Sequence, residues 1–246
     1  MQKLGQVLAL IIITVFSLAA GASAQTPVVV ELFTSEGCSS CPPADALLVK
    51  LSQQGAGNGT ELVLLGEHVD YWNYIGWTDR FSSAQFSQRQ SEYGRALNST
   101  VYTPQMVIDG NAQFVGSDAS EAQRDIAAAA KEPKPAQVTL HWEGNNRLHV
   151  SVQSPVQDRG NVLLATTEDG LSTAVEAGEN GGHTLHHAAV VRQLRQLGPT
   201  DKGAFDANVD VAPHADWNPA KLKVVILVQD PASMKVLGAA AVPYAH

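Results

Sequence analysis

Cys38 and Cys41 are the only cysteines in 246 residues, and they stand three positions apart between a β-rich run and a helical one. A pair so placed cannot tie distant parts of the chain together. The fold must therefore be held by packing, and 44% hydrophobic against 16% charged residues gives enough apolar material for a core. A disulfide-stapled scaffold is excluded, because such scaffolds spread many cysteines along a short chain. A cysteine-only zinc site is excluded for want of ligands. The length, 246 residues, suits one large domain or two ordinary ones. The formal charge is −8 with no Lys/Arg block, which excludes a nucleic-acid footprint.

Residues 1–24 read as a secretory signal peptide. Lys3 supplies the positive end, Leu8 to Ala20 the apolar stretch, and Ala22-Ser23-Ala24 a small-residue cleavage site before Gln25. The apolar stretch is short for a span of about 20 residues, so cleavage is preferred to an uncleaved anchor. No cysteine follows the site to carry a lipid, and no later segment is apolar enough to cross a bilayer. The expected mature chain is 25–246. It is periplasmic or secreted, free of the membrane after cleavage, and in a compartment where cysteine pairs oxidise.

Strand and helix patterns alternate through the first half. Val28 to Phe33 is β-rich, and Ala44, Leu47, Leu48 and Leu51 share one helical face. Glu61 to Val69 reads as a buried strand and Phe81 to Asn98 as a helix. Gln105 to Ile108 and Gln113 to Val115 form a hairpin around Asp109-Gly110-Asn111, and an alanine-rich helix capped by Ser117 or Asp118 closes at Lys131. Lys131 to Ala136 is a proline-containing linker. Beyond it come about seven short strands, at 138–142, 148–152, 162–166, 186–194, 205–211, 223–228 and 236–242. They predict a β-sandwich of immunoglobulin-like shape over 137–246.

The cysteine pair carries the chemistry. A helix N-terminus presents free N–H groups and partial positive charge, which favour a thiolate. The two-residue spacer lets one sulfur attack and the other resolve, and Pro42 falls near the first helical position, where its missing N–H costs nothing. Thr103-Pro104 stands directly before a strand. The Cys-Ser-Ser-Cys string after the first strand, Thr103-Pro104 before the third and the element order together resemble thioredoxin-like proteins. That resemblance implies a cis peptide bond at Pro104 beside the cysteines. It also implies a thioredoxin-like α/β domain over 25–131, with a helical insertion at about 71–98. Val30 to Asp45, His68 to Trp72 and Val190 to Leu194 are similar to a family of secreted bacterial proteins of unknown function, DUF1223. That family implies export and a thioredoxin-like domain, and says little about substrate.

The expected function is thiol–disulfide exchange with protein thiols and disulfides, using Cys38, Cys41 and Pro104 and no cofactor. Cys38 is expected to have the more exposed sulfur. Thr103, His68 and Asp70 are the supporting candidates, the last two as proton carriers or, more plainly, as a satisfied strand-end residue and a cap. The alternative reading is a module that binds Cu(I) through two thiolates, with Met106 or a histidine adding a ligand, or that binds a partner protein without turnover. Tyr71, Trp72, Tyr74 and Trp77 form either a platform beside the cysteines or a satellite core. His183, His186 and His187 lie close in sequence, but His186 is expected on the opposite strand face, which argues against a metal site. Arg192 and Arg195 are expected in ion pairs.

Overall fold

The computed structural model describes residues 27–56, 59–155 and 160–245; the expected signal peptide, 1–24, lies outside them. The chain opens with strand β1 (Val28–Thr34), fully buried, followed by helix α1 (Pro42–Gln54) and strand β2 (Leu62–His68). β1 and β2 run parallel from Val28↔Leu62 to Thr34↔His68, as a helical crossover requires. Helix α2 (Ala84–Ala96) starts at Ser83, whose side chain accepts from the Gln85 amide. Strands β3 (Gln105–Ile108) and β4 (Ala112–Val115) make the hairpin the turn residues imply, with β3 antiparallel to β1. Helix α3 (Ala119–Ala129) is capped by Asp118, which accepts from the Ser120 and Glu121 amides.

The second half is β-rich: β5 (Gln137–Gly144), β6 (Arg147–Gln153), β7 (Asn161–Glu168), β8 (Leu171–Ala174), β9 (Thr184–His187), β10 (Val190–Pro199), β11 (Ala204–Asp210), β12 (Leu222–Gln229) and β13 (Val236–Pro243). Asn145 and Asn146 take left-handed φ values of 51° and 60° in the β5–β6 turn, where short polar side chains tolerate them.

These strands do not form a sandwich of their own. One sheet of eight strands runs β13-β12-β7-β10-β2-β1-β3-β4 through both halves. The expectation of a thioredoxin-like domain followed by a separate immunoglobulin-like sandwich is therefore corrected. The seam is at β10 and β2, where Val190 pairs with Gly66 in parallel and the Gly66 amide donates to the Ala189 carbonyl at 2.8 Å. Without β10, the outer edge of β2 would carry unpaired backbone groups. β5, β6 and β11 do form a separate sheet, but it has only three strands and packs on one face of the large one.

Side-chain alternation then assigns the two faces. Val28, Val30 and Leu32 face α1 and α3, while Val162, Leu164, Val224 and Ile226 face the three-stranded sheet. The opposite face joins the halves: Val29, Phe33 and Leu65 share a core with Val191, Val225, Leu227 and Val236, and α2 adds Phe86 and Tyr93. Arg89 of α2 is buried there between Glu31 at 2.7 Å and Glu67 at 3.3 Å, and donates to Gln229 at 2.9 Å. A second tie lies at Asp109, which accepts from the Val29 amide at 2.8 Å and pairs with Lys134 at 2.7 Å.

Candidate functional site

Cys38 and Cys41 form a disulfide in the turn that leads into α1. The turn is closed by its own backbone: the Cys41 amide donates to the Cys38 carbonyl at 3.1 Å, and the Asp45 amide to the Cys41 carbonyl at 3.1 Å. The Thr103–Pro104 bond is cis, and the Thr103 hydroxyl donates to Cys38 Sγ at 3.4 Å. Trp72 Nε1 in turn donates to the Thr103 hydroxyl at 2.8 Å. The sequence pattern thus does bring Cys38, Cys41, Thr103 and Pro104 into one place.

Exposure differs from the expectation. Both cysteines are at 0% exposure, so Cys38 is not the more open sulfur; Ser39 and Ser40 are the exposed residues of the turn. Three distant stretches of chain bond around the turn. Trp72 and Thr103 cover one side. On the other, Asn180 Nδ2 donates to the carbonyls of Glu36 at 2.8 Å and Cys38 at 3.0 Å, and the Ser39 amide donates to Glu179 at 3.1 Å.

Behind the turn lies a buried polar cluster: Thr34, Glu36, Asp45, His68, Asp79 and His187, none more than 5% exposed. His68 Nδ1 lies 2.7 Å from Asp79, which also accepts from the Glu36 and Phe81 amides at 2.9 Å each. Burial raises the Asp79 carboxyl, but His68 and those amides outweigh it and hold Asp79 below its ordinary range. His187 sits 3.3 Å from Glu36 and 3.9 Å from Asp45, distances of ion pairing rather than of a full hydrogen bond. Burial draws the His187 imidazole down, yet Asp45 and Glu36 together push it up to about 9. Trp77 Nε1 donates to Glu36 at 2.8 Å and the Thr34 hydroxyl to Asp45 at 3.1 Å, so both acids are held. The rings of His68 and His187 meet edge to face with centroids 4.8 Å apart.

Of the supporting candidates, His68 joins this cluster and Asp70 does not. Asp70 instead accepts from the Ser87 hydroxyl of α2 at 2.5 Å. The aromatic residues divide their tasks: Trp72 and Trp77 bond to the site, Tyr71 bonds to Gln90 at 3.0 Å, and Tyr74 is 82% exposed. The three histidines do not converge, since His186 is exposed while His187 is buried and His183 precedes β9. Met106 is fully buried in the core beneath α1 and α3. Among the described residues no group of three or more His, Cys, Asp or Glu side chains is placed to hold a metal ion. Arg192 pairs with Glu168 at 2.7 Å, and Arg195 donates to the Asp210 carbonyl. Glu36, Asp45, Asp79, Asn180 and His187 were not singled out as one site by sequence. Only Glu36, two positions before Cys38, and Asp45, one helical turn after Cys41, carried a local signal.

Residues 29–229 match the model of a family described as "Protein of unknown function (DUF1223)". The chain belongs to that family. The DUF1223 resemblance of the sequence is thereby shown, without any thioredoxin assignment attached to it. This DUF1223 chain is also similar to a protein from Agrobacterium tumefaciens, solved as a structural-genomics target. The two are 28% identical over 89% of this chain and 95% of that one, with a TM-score of 0.74. A domain of the outer membrane lipoprotein Omp28 from Porphyromonas gingivalis is 11% identical, over 45% of this chain and 88% of that one, with a TM-score of 0.26. OgpA from Akkermansia muciniphila is 15% identical over 46% of this chain and 30% of that one, with a TM-score of 0.27. The last two likenesses carry no argument. No curated protein matches the chain.

Proposed function

We propose that this DUF1223 protein is an exported thiol–disulfide oxidoreductase. Its redox centre is Cys38–Cys41, and its partners are the thiols and disulfides of other proteins. One observation carries the reading: the disulfide stands at the start of α1, in hydrogen-bond contact with Thr103 and backed by buried acids and histidines. A disulfide closing so short a loop restrains little of the unfolded chain, so stability alone gives weak reason to keep it. A helix start favours the thiolate that exchange requires. Export rests on the leader-like residues 1–24.

The exchange balances. A substrate thiolate attacks one sulfur of the pair; a mixed disulfide forms as the Cys38–Cys41 bond breaks, and the leaving sulfur keeps the electron pair and then takes a proton. A second substrate thiolate attacks the mixed disulfide. The substrate leaves as a disulfide and the protein as a dithiol, two electrons richer. The reverse sequence reduces a substrate disulfide, and the reduction potential of the pair sets the direction. Because both sulfurs are buried, a protein substrate reaches them only when the turn shifts relative to Trp72, Thr103 and Asn180, which bond to it or to one another around it.

The test is equilibration of the folded protein in glutathione buffers of graded potential, followed by alkylation and mass analysis. The expected result is reversible interconversion under native conditions, with Cys41→Ser trapping a mixed disulfide through Cys38. The second reading is a structural clip, favoured by the full burial of both sulfurs. It predicts that glutathione reduces the pair only after denaturant is added, and that result would overturn the redox proposal.

A further inference from the structure

We propose that His187, carried on β9 by the second half of the chain, is a positioning residue for the cysteine pair of the first half. Held as a cation between Glu36 and Asp45, it sets the charge behind the turn and with it the ease of forming a thiolate at Cys38–Cys41. The inference rests on the thiol chemistry proposed above.

The titratable groups near His187 come from the elements on its polar side, while β8, which pairs with β9, sets the apolar Leu171 opposite it. Glu36 belongs to the turn after β1, Asp45 to α1 and His68 to β2, with Asp79 on the far side of His68. Phe81 meets His187 at a ring distance of 5.8 Å, and Arg80 and Arg192 lie over the same Phe81 ring at 4.6 and 5.4 Å. His68 is engaged with Asp79, so His187 is the cation available to Glu36 and Asp45.

Both acids belong to the stretch of chain that carries the cysteines. Asp45 follows Cys41 by four positions, and Cys41 already has helical backbone angles, so the two side chains stand on one face of α1. Glu36 precedes Cys38 by two, and one Asn180 amide grips both their carbonyls. Two buried carboxylates carried by the segment that holds the cysteines disfavour a further negative charge there; a cation between them relieves that repulsion. The halves therefore share the site, and the cysteine segment alone lacks the charge that makes a thiolate affordable there.

The experiment reads thiolate absorbance at 240 nm against pH in full-length protein refolded in a phosphine reductant. His187→Gln should raise the thiolate midpoint by about one pH unit. The Glu36→Gln/His187→Gln pair should bring it back toward wild type, because a carboxylate leaves with the cation. A His187→Gln protein that melts earlier but titrates as wild type would reduce the residue to a structural role and overturn the proposal. A second measurement needs no variant. Coupling between two sites is reciprocal, so the NMR titration midpoint of His187 should move upward when the pair is reduced and ionised, and superimposable curves in oxidised and reduced protein would also overturn it. Neither readout involves turnover. Failure of glutathione exchange would thus remove the oxidoreductase reading while leaving this linkage to stand or fall separately.

Discussion

Among single residues, Glu67 is the most exacting to place. It is fully buried beside Glu31 and Arg89, and burial first, then the Glu31 charge, raises its pKa well above the ordinary 4.5 despite the pull of Arg89. The folded state therefore favours the protonated form. The stability this contributes is present below about pH 4.5 and is lost as pH climbs toward the folded value. Glu67→Gln keeps the shape and removes the titration. Its urea midpoint should exceed wild type by more at pH 8 than at pH 5, with a gain at pH 8 of about 1 kcal/mol or more. A difference that stays constant with pH would mean that Arg89 keeps Glu67 ionised throughout. At this scale the sequence was informative where spacing is short. Cys38 and Cys41 were legible because strand ends and helix starts impose local patterns, whereas Thr103 and Pro104 came to the site only through the thioredoxin-like resemblance. His187, Asp79 and Asn180 were not legible, because each reaches the site from a loop or strand whose placement depends on the whole sheet.

Among the elements, the β9–β10 region departs most from its reading as one strand over 186–194. Ala189 has a φ of 49°, which breaks the run. Its amide donates to Asp169 at 2.8 Å and its carbonyl accepts from Gly66 at 2.8 Å. Ala189 thus turns the chain out of β9 and into line with β2. Gly66 permits the approach: a Cβ there would lie 3.0 Å from the Ala188 carbonyl oxygen and 3.4 Å from a Leu48 methyl of α1. Gly66→Ala should therefore press on the seam from both sides and cost about 1–3 kcal/mol, measured by urea unfolding. An unchanged midpoint would mean that the two strands part without penalty. The starts of α1 and α3 and the β3–β4 hairpin turn were readable from proline, aspartate and asparagine signals. The eight-strand order was not, since a strand's residues do not state which edge they will meet.

For the whole molecule, the shared core makes the clearest claim. Val29, Phe33 and Leu65 bury against Val225, Leu227 and Val236, and Asp109 binds both Val29 and Lys134. Full-length protein should unfold in one transition, with circular dichroism and tryptophan fluorescence coinciding. Segments 25–134 and 135–246 expressed apart should each expose that face and show no cooperative melt; two independent melts would restore a two-domain description. Sequence alone located the first-half helices and strands, the cysteine pair, the β-rich character of the second half and the family resemblance, because these follow from periodicity, turn chemistry and local motif, but it missed β8 and ran β9 and β10 together. Tertiary structure alone decided that β10 joins β2, that both sulfurs are covered, and that His187 lies among Glu36, Asp45 and His68. Pairing of distant strands and burial of charge depend on contacts between residues tens to more than a hundred positions apart, where sequence neighbours exert no constraint.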